Sequence, residues 1–157
     1  MPEIDRHEPK AAVPTDLQKI VSYLLNRVSH RYNQTVHSKM REAGLTVMNA
    51  RVIVCLKIFG ELTVNDLCVH AIAEQSTVSH ALDRMANENL ISRHIGERDS
   101  RVRVVRLTPD GEAMYDKIWP VMAAANEELL KGVSQPDRKV FTRVLTHVLK
   151  NIRKHPI

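Results

Sequence analysis

Residues 75–111, QSTVSHALDRMANENLISRHIGERDSRVRVVRLTPDG, decide the fold. Their hydrophobic period changes once. From Gln75 to about Asn87 the apolar side chains Val78, Leu82 and Met85 recur at a spacing of four and three, which places them on one face of a helix. From Leu90 the pattern shortens: Leu90 to Ile95 predicts a strand, Gly96 to Ser100 a polar turn, and Arg101 to Leu107 the returning strand of a hairpin. Strict alternation slips at Val105, marking either a bulge or the strand entering the core. Five arginines fall between Arg93 and Arg106 against Glu97 and Asp99, so the hairpin reads as a cationic finger. Thr108-Pro109-Asp110-Gly111 then opens a long helix, with Thr as N-cap, Pro at the first helical position and Asp in the positive first turn.

Working upstream, a short helix is predicted from Thr63, capped with Asp66, to about His70, separated from the helix at Gln75 only by Ala71 to Glu74. A short helix, a tight turn and a longer helix outline a helix-turn-helix unit. Thr46 to Gly60 has a strand-like centre, Val52 to Leu56, but its length between a capping Thr and a terminating Gly favours a buried helix. Ahead of it, the stripe Leu17, Ile20, Val21, Leu24, Leu25, Val28, Tyr32 and Val36 predicts a long amphipathic helix, opened by the capping-box spacing of Thr15 and Gln18 and closed near Gly44. Residues 1–14, with Pro2, Pro9 and Pro14, read as a flexible arm. Downstream, Pro120 is expected to kink the helix from Thr108 after Trp119, and Gly132 to stop it. A last helix, capped by Ser134 with Asp137, presents Val140, Phe141, Val144, Leu145, Val148, Leu149 and Ile152 as one stripe.

Composition narrows the function classes. A chain of 157 residues suits one domain, with enough core to need no disulfide or metal staple. Cys55 and Cys68 form no Cys-x-x-Cys pair, which predicts a reducing, cytoplasmic setting, and no signal peptide or membrane span is expected. The net charge of +5 is unevenly placed: residues 60–108 carry six basic against seven acidic side chains, net −1, while 137–157 carry six against one, net +5. Total charge is therefore a poor guide to a polyanion site. Six scattered aromatics argue against a stacking platform for single strands. An enzyme is not expected, because no phosphate-cradling Gly-rich loop, Gly-x-Ser-x-Gly elbow or metal-binding His pair occurs; no cofactor and no metal site are implied.

Gln75, Ser76, Thr77, Ser79 and His80 are short, uncharged hydrogen-bonding residues at a helix start, suited to base edges or phosphates in a major groove and equally to a plain solvated helix face. The arginine-rich hairpin beside them favours the DNA reading. The chain resembles the MarR family of bacterial transcription regulators. The match rests on Ser76-Thr-Val-Ser-His80-Ala-Leu-Asp83-Arg84, on Leu90-Ile-Ser-Arg93, and on Asp99-Ser-Arg101 followed by Leu107-Thr108-Pro-Asp-Gly111, in register over roughly Leu17 to Ile152. One departure is Glu88-Asn89-Leu90, where the family has Gly before the Leu; Asn tolerates the left-handed helix end that position requires.

The resemblance implies a mainly α (α+β) fold in one domain of residues 15–157, with a winged helix-turn-helix DNA-binding lobe of about 46–108 and dimerisation helices of about 15–43 and 109–154. It implies a homodimer on a palindromic double-stranded operator, with recognition helices about 34 Å apart. Arg101 would enter the minor groove with Asp99 orienting its guanidinium, the alternative being an Asp-Arg pair that only closes the turn. Arg84, Arg93, Arg98 and Thr63 are then candidate phosphate contacts. The function implied is a regulator, most simply a repressor, responding to a small aromatic or anionic effector. Candidate effector residues are Tyr23, Arg27, His30, Arg31, Met48, Arg51 and Trp119, an apolar wall with a few cations. Two alternatives stay open: a regulator of the same fold that senses oxidants through Cys55 or Cys68, and a winged helix serving as a protein-interaction module.

Overall fold

A computed structural model describes residues 16–96 and 102–152 of the chain. The expected arm of residues 1–14, Thr15, and the hairpin-tip residues Arg98, Asp99 and Arg101 lie outside the described residues. The elements are α1 (Val21–Glu42), α2 (Val47–Phe59), β1 (Glu61–Thr63), α3 (Val64–Ala71), α4 (Gln75–Asn87), β2 (Ile91–Ile95), β3 (Arg103–Leu107), α5 (Pro109–Leu129) and α6 (Gln135–Ile152).

The helix expected from Thr15 starts later. Leu17–Lys19 is a 3₁₀ turn, closed by Asp16 Oδ1 accepting from the Gln18 N–H at 2.9 Å, and extended backbone at Ile20 breaks the path before α1. α2 is the helix its length demanded. Thr46 Oγ1 accepts from the Asn49 N–H at 3.1 Å, and Gly60, at φ 80, stops the helix with its N–H on Leu56 O. Val52, Ile53 and Leu56 are fully buried, so the β-branched run fills a helical core rather than a strand. Around α2 gather Val36 and Met40 of α1, Leu67 of α3, Val78, Leu82 and Met85 of α4, Ile91 and Val105 of the sheet, and Ile118 of α5.

The sheet has a third strand that the sequence did not disclose. β1 pairs antiparallel with β3, and the order is β1-β3-β2. β3 pairs continuously through Val105 with both neighbours, and Val104 and Val105 are both buried. The lost alternation is thus the strand entering the core, with no bulge. Thr63 ends β1 and caps α3 in a full capping box with Asp66. At the other end of α3, Ile72 sits at φ 56 with 79% of its surface exposed. A branched side chain in left-handed backbone costs about 1–2 kcal/mol, which the tight turn into α4 imposes.

α4 ends as Asn89 foretold, in left-handed backbone at φ 56. The next residues dock on the start of α5. Thr108 Oγ1 donates to Asn89 O and accepts from the Gly111 N–H at 3.1 Å; the Thr108 N–H reaches Leu90 O at 3.1 Å; Asn89 Nδ2 donates to Asp110 Oδ2 at 2.8 Å. Gly111 is needed because a Cβ there would lie 2.1 Å from Leu90 O. α5 runs on through Pro120 to Leu129. Its C-terminal end holds α6 through Arg138, which donates to Val133 O, Leu130 O and Glu127 Oε2 at 2.7–3.0 Å. No residue of α6 is buried: Phe141, Val144 and Leu149 are 43–49% exposed on its apolar stripe.

Gly111→Ala should force the α4–α5 junction apart, costing about 3 kcal/mol by analogy with overpacked cores and lowering the melting temperature by about 10 °C for a chain of this size. Thermal melting followed by circular dichroism checks it; an unchanged midpoint would contradict the close approach.

Candidate nucleic-acid interface

The first turn of α4 is open to solvent. Its N-cap, Glu74, makes no side-chain capping bond. Gln75, Ser76, Thr77 and His80 are exposed and Ser79 is half-buried, while Val78, Ala81, Leu82 and Met85 turn inward. Buried and polar faces thus divide this helix as the sequence required, leaving an uncharged row of donors and acceptors above uncapped backbone N–H groups at the positive end of the dipole.

Two arginines of the hairpin are engaged within the fold. Arg93 Nη2 pairs with Asp83 Oδ1 of α4 at 2.5 Å, and Arg106 Nε donates across the sheet to Glu61 Oε2 at 2.6 Å. The first bond ties β2 to α4, the second ties β3 to β1. Arg103 is exposed on β3. The cationic finger is therefore narrower than the count of five suggested: two of its arginines hold the sheet in place, and two, Arg98 and Arg101, lie outside the described residues. Thr63 likewise spends its hydroxyl locally, donating to Asp66 Oδ2 at 2.7 Å.

Arg84 has a more specific setting. Its Nη2 donates to Thr46 Oγ1 at 3.2 Å and to Asn49 Oδ1 at 3.0 Å, while the residue stays exposed on α4. Asn49 is the one buried polar residue among those described, at 2% exposure. Thr77, His80, Ala81 and Arg84 of α4 line an open groove of about 400 Å³ with Thr46 and Met48 of α2. Asn49 was missed from the sequence; the available signal was a lone amide in an apolar helix, three residues after its capping Thr.

The candidate effector residues do not converge. Arg27 leans on Tyr23, donating to its OH at 3.3 Å with the guanidinium 5.8 Å from the ring centre. Arg31 donates to Gln34 Oε1. His30 lies in a shallow polar groove along α1 with Asn33, Gln34 and His37. Met48 belongs to the groove beside α4, together with Thr46. Arg51 links three elements, donating to Ala71 O at 3.3 Å and Asn33 Oδ1 at 3.4 Å. Trp119 stacks on Tyr115 and lines a groove of about 360 Å³ between α1 and α5 with Tyr32, Met122 and Asn126. Among the described residues no group of three or more His, Cys, Asp or Glu could hold a metal ion, and no helix is long and apolar enough to cross a membrane.

Both thiols are disfavoured as thiolates. Burial pushes the Cys55 thiol up, the Arg51 charge opposing it in part, and partial burial followed by the Glu74 charge pushes Cys68 up. A raised pKa lowers the thiolate fraction and with it the rate of oxidation or alkylation. At pH 8 both cysteines should react with iodoacetamide more slowly than a free thiol, whose pKa is about 8.5. Rates matching that thiol at either position would restore the oxidant-sensing alternative.

The chain is similar to a MarR-family transcriptional regulator from Silicibacter pomeroyi: the two share 34% sequence identity and a TM-score of 0.83, over 90% of this chain and 96% of that one. It is 28% identical over 130 residues to the HTH-type transcriptional repressor IacR of Pseudomonas putida, covering 83% of this chain and 78% of IacR. The S. aureus MepR–DNA complex shares the fold at 22% identity and a TM-score of 0.73, over 85% of this chain and 98% of that one. No protein-family model matches the chain.

Proposed function

The chain belongs to the MarR family of transcriptional regulators, and on that premise we propose that it is a homodimeric, sequence-specific binder of double-stranded DNA that represses transcription until a small ligand releases it. The observation that carries this reading is the exposed, uncharged start of α4, Gln75 to His80, set beside the antiparallel β2–β3 pair. A helix start rich in Ser, Thr, Gln and His reads base edges without the cost of burying a charge. Arg101, with Asp99 to orient it, is assigned to the adjoining minor groove, where a planar guanidinium suits the concentrated negative potential of A·T-rich sequence. Arg84 and Arg98 are assigned to phosphates.

Dimerisation is supported by the apolar stripe of α6, where Val140, Phe141, Val144, Leu149 and Ile152 are exposed among the described residues, and by Val21, Leu24 and Val28 on α1, 43–64% exposed. A second copy supplies the missing cover and the second recognition helix of a palindromic site. The repressor role follows the likeness to IacR. For the ligand, the groove between α1 and α5, walled by Tyr32 and Trp119, supports a flat aromatic compound best, because it joins a helix of the exposed-stripe layer to the one that carries α4's docking point.

Duplexes selected from a random pool should be bound with a strong inverse dependence on salt. Arg101→Ala should weaken that binding about tenfold, most at A·T-rich flanks, whereas Ser76→Ala and His80→Ala should relax base preference by about 1–3 kcal/mol per contacted position with little change in salt slope. Absence of any salt-sensitive duplex binding would overturn the regulator reading. Val144→Glu should shift the protein from dimer to monomer in analytical ultracentrifugation and reduce operator affinity with it.

A further inference from the structure

The Arg84 setting carries a consequence for how DNA is engaged. Thr77, His80 and Arg84 stand at successive turns of one face of α4, and all three line the groove whose other wall begins at Thr46. Arg84 Nη2 is held there by two acceptors, Thr46 Oγ1 and Asn49 Oδ1, and Thr46 Oγ1 in turn donates to Asn49 Oδ1 at 2.9 Å. Nη1 and Nε make no hydrogen bond among the described residues. Both acceptors are neutral, so the guanidinium is fixed in direction while its charge is left uncompensated, unlike Arg93 and Arg106, which face Asp83 and Glu61.

We propose that Thr46 and Asn49 are positioning residues for DNA binding: they grip one edge of the Arg84 guanidinium and so present its remaining donors, with full charge, to a backbone phosphate beside Thr77 and His80. A long side chain loses rotamer freedom when it is ordered on binding. Gripping Arg84 in advance takes that loss during folding instead, and the planar fork then meets two phosphate oxygens in fixed register. Because Asn49 is on α2 and Arg84 on α4, the same grip sets the angle of the recognition helix against the core. The inference rests on the DNA-binding reading above and gives it a buried determinant 35 residues from the arginine it serves.

Asn49→Asp separates charge from geometry. It keeps an acceptor for Arg84 and Thr46 but neutralises the guanidinium, so a purely structural tie would be preserved or strengthened. Binding of the full-length protein to a duplex recovered by selection is measured across a salt series. The expected result is a salt slope smaller by about one in Asn49→Asp, with affinity about tenfold lower, as for loss of one phosphate contact. Arg84→Gln should do the same, and Asn49→Ala, which removes the acceptor without adding charge, should lower affinity in the wild-type background and change nothing further in Arg84→Gln. An unchanged slope in Asn49→Asp, or an equal loss from Asn49→Ala in the wild-type and Arg84→Gln backgrounds, overturns the proposal. Should Asn49→Asp not fold, the exposed Arg84→Lys decides: the charge is kept but the fork is lost, so slope is retained and affinity falls about tenfold, and wild-type affinity overturns it. Wild-type protein that binds no duplex in a salt-sensitive way refutes the DNA-binding reading itself, an outcome distinct from the two above.

Discussion

Everything in the arrangement hangs on one close approach, Gly111 against the carbonyl of Leu90. It joins the left-handed end of α4 to the first turn of α5, and Thr108 and Asn89 lock the joint with bonds in both directions. The base of the hairpin begins at the same point, since Ile91 pairs with Leu107. A helix that reads DNA is only as precise as its attachment to the rest of the molecule. Here the attachment is made of backbone and small side chains, which have few rotamers in which to slip.

Around that joint the polar interactions divide by purpose. Pairs with full opposite charge, Arg93–Asp83, Arg106–Glu61 and Lys57–Glu112, sit between elements and are partly exposed, so each contributes little energy but a definite register. The hydrogen bond that Lys57 donates to Glu112 pushes its ammonium pKa up, in keeping with a tie between α2 and α5. Arg84, like Arg51 on Ala71 O and Asn33 Oδ1, is held instead by neutral groups. An arginine opposite a carboxylate is electrostatically spent; one opposite a hydroxyl and an amide keeps its field for a partner.

Much of the architecture was legible in residue spacing because caps and periods are local. Thr46, Thr63, Thr108 and Ser134 all cap the helices they were expected to cap, and Asn89 takes the left-handed role inferred from its type. β1 escaped notice because three residues carry no period and its neighbours spell a helix start. The late start of α1 turned on extended backbone at Ile20, a residue whose apolar character fits the stripe in either conformation. At the site, residue types on α4 could be read directly, whereas the engagement of Arg93, Arg106 and Arg84 depends on partners 10 to 45 positions away that no local pattern announces.

The last helix gives the molecule two tiers of stability. α2 supplies most of its residues to the core, but α6, fastened near its start by Arg138, has no buried residue. An isolated helix of 18 residues is close to marginal in water. On the proposed dimer its backbone amides exchange with solvent at a rate set by how much of the protein is paired, while those of α2 report on the core. In the proposed dimer α6 would serve as a gauge of assembly carried within the chain, loosening or firming with concentration while the core around α2 stays folded.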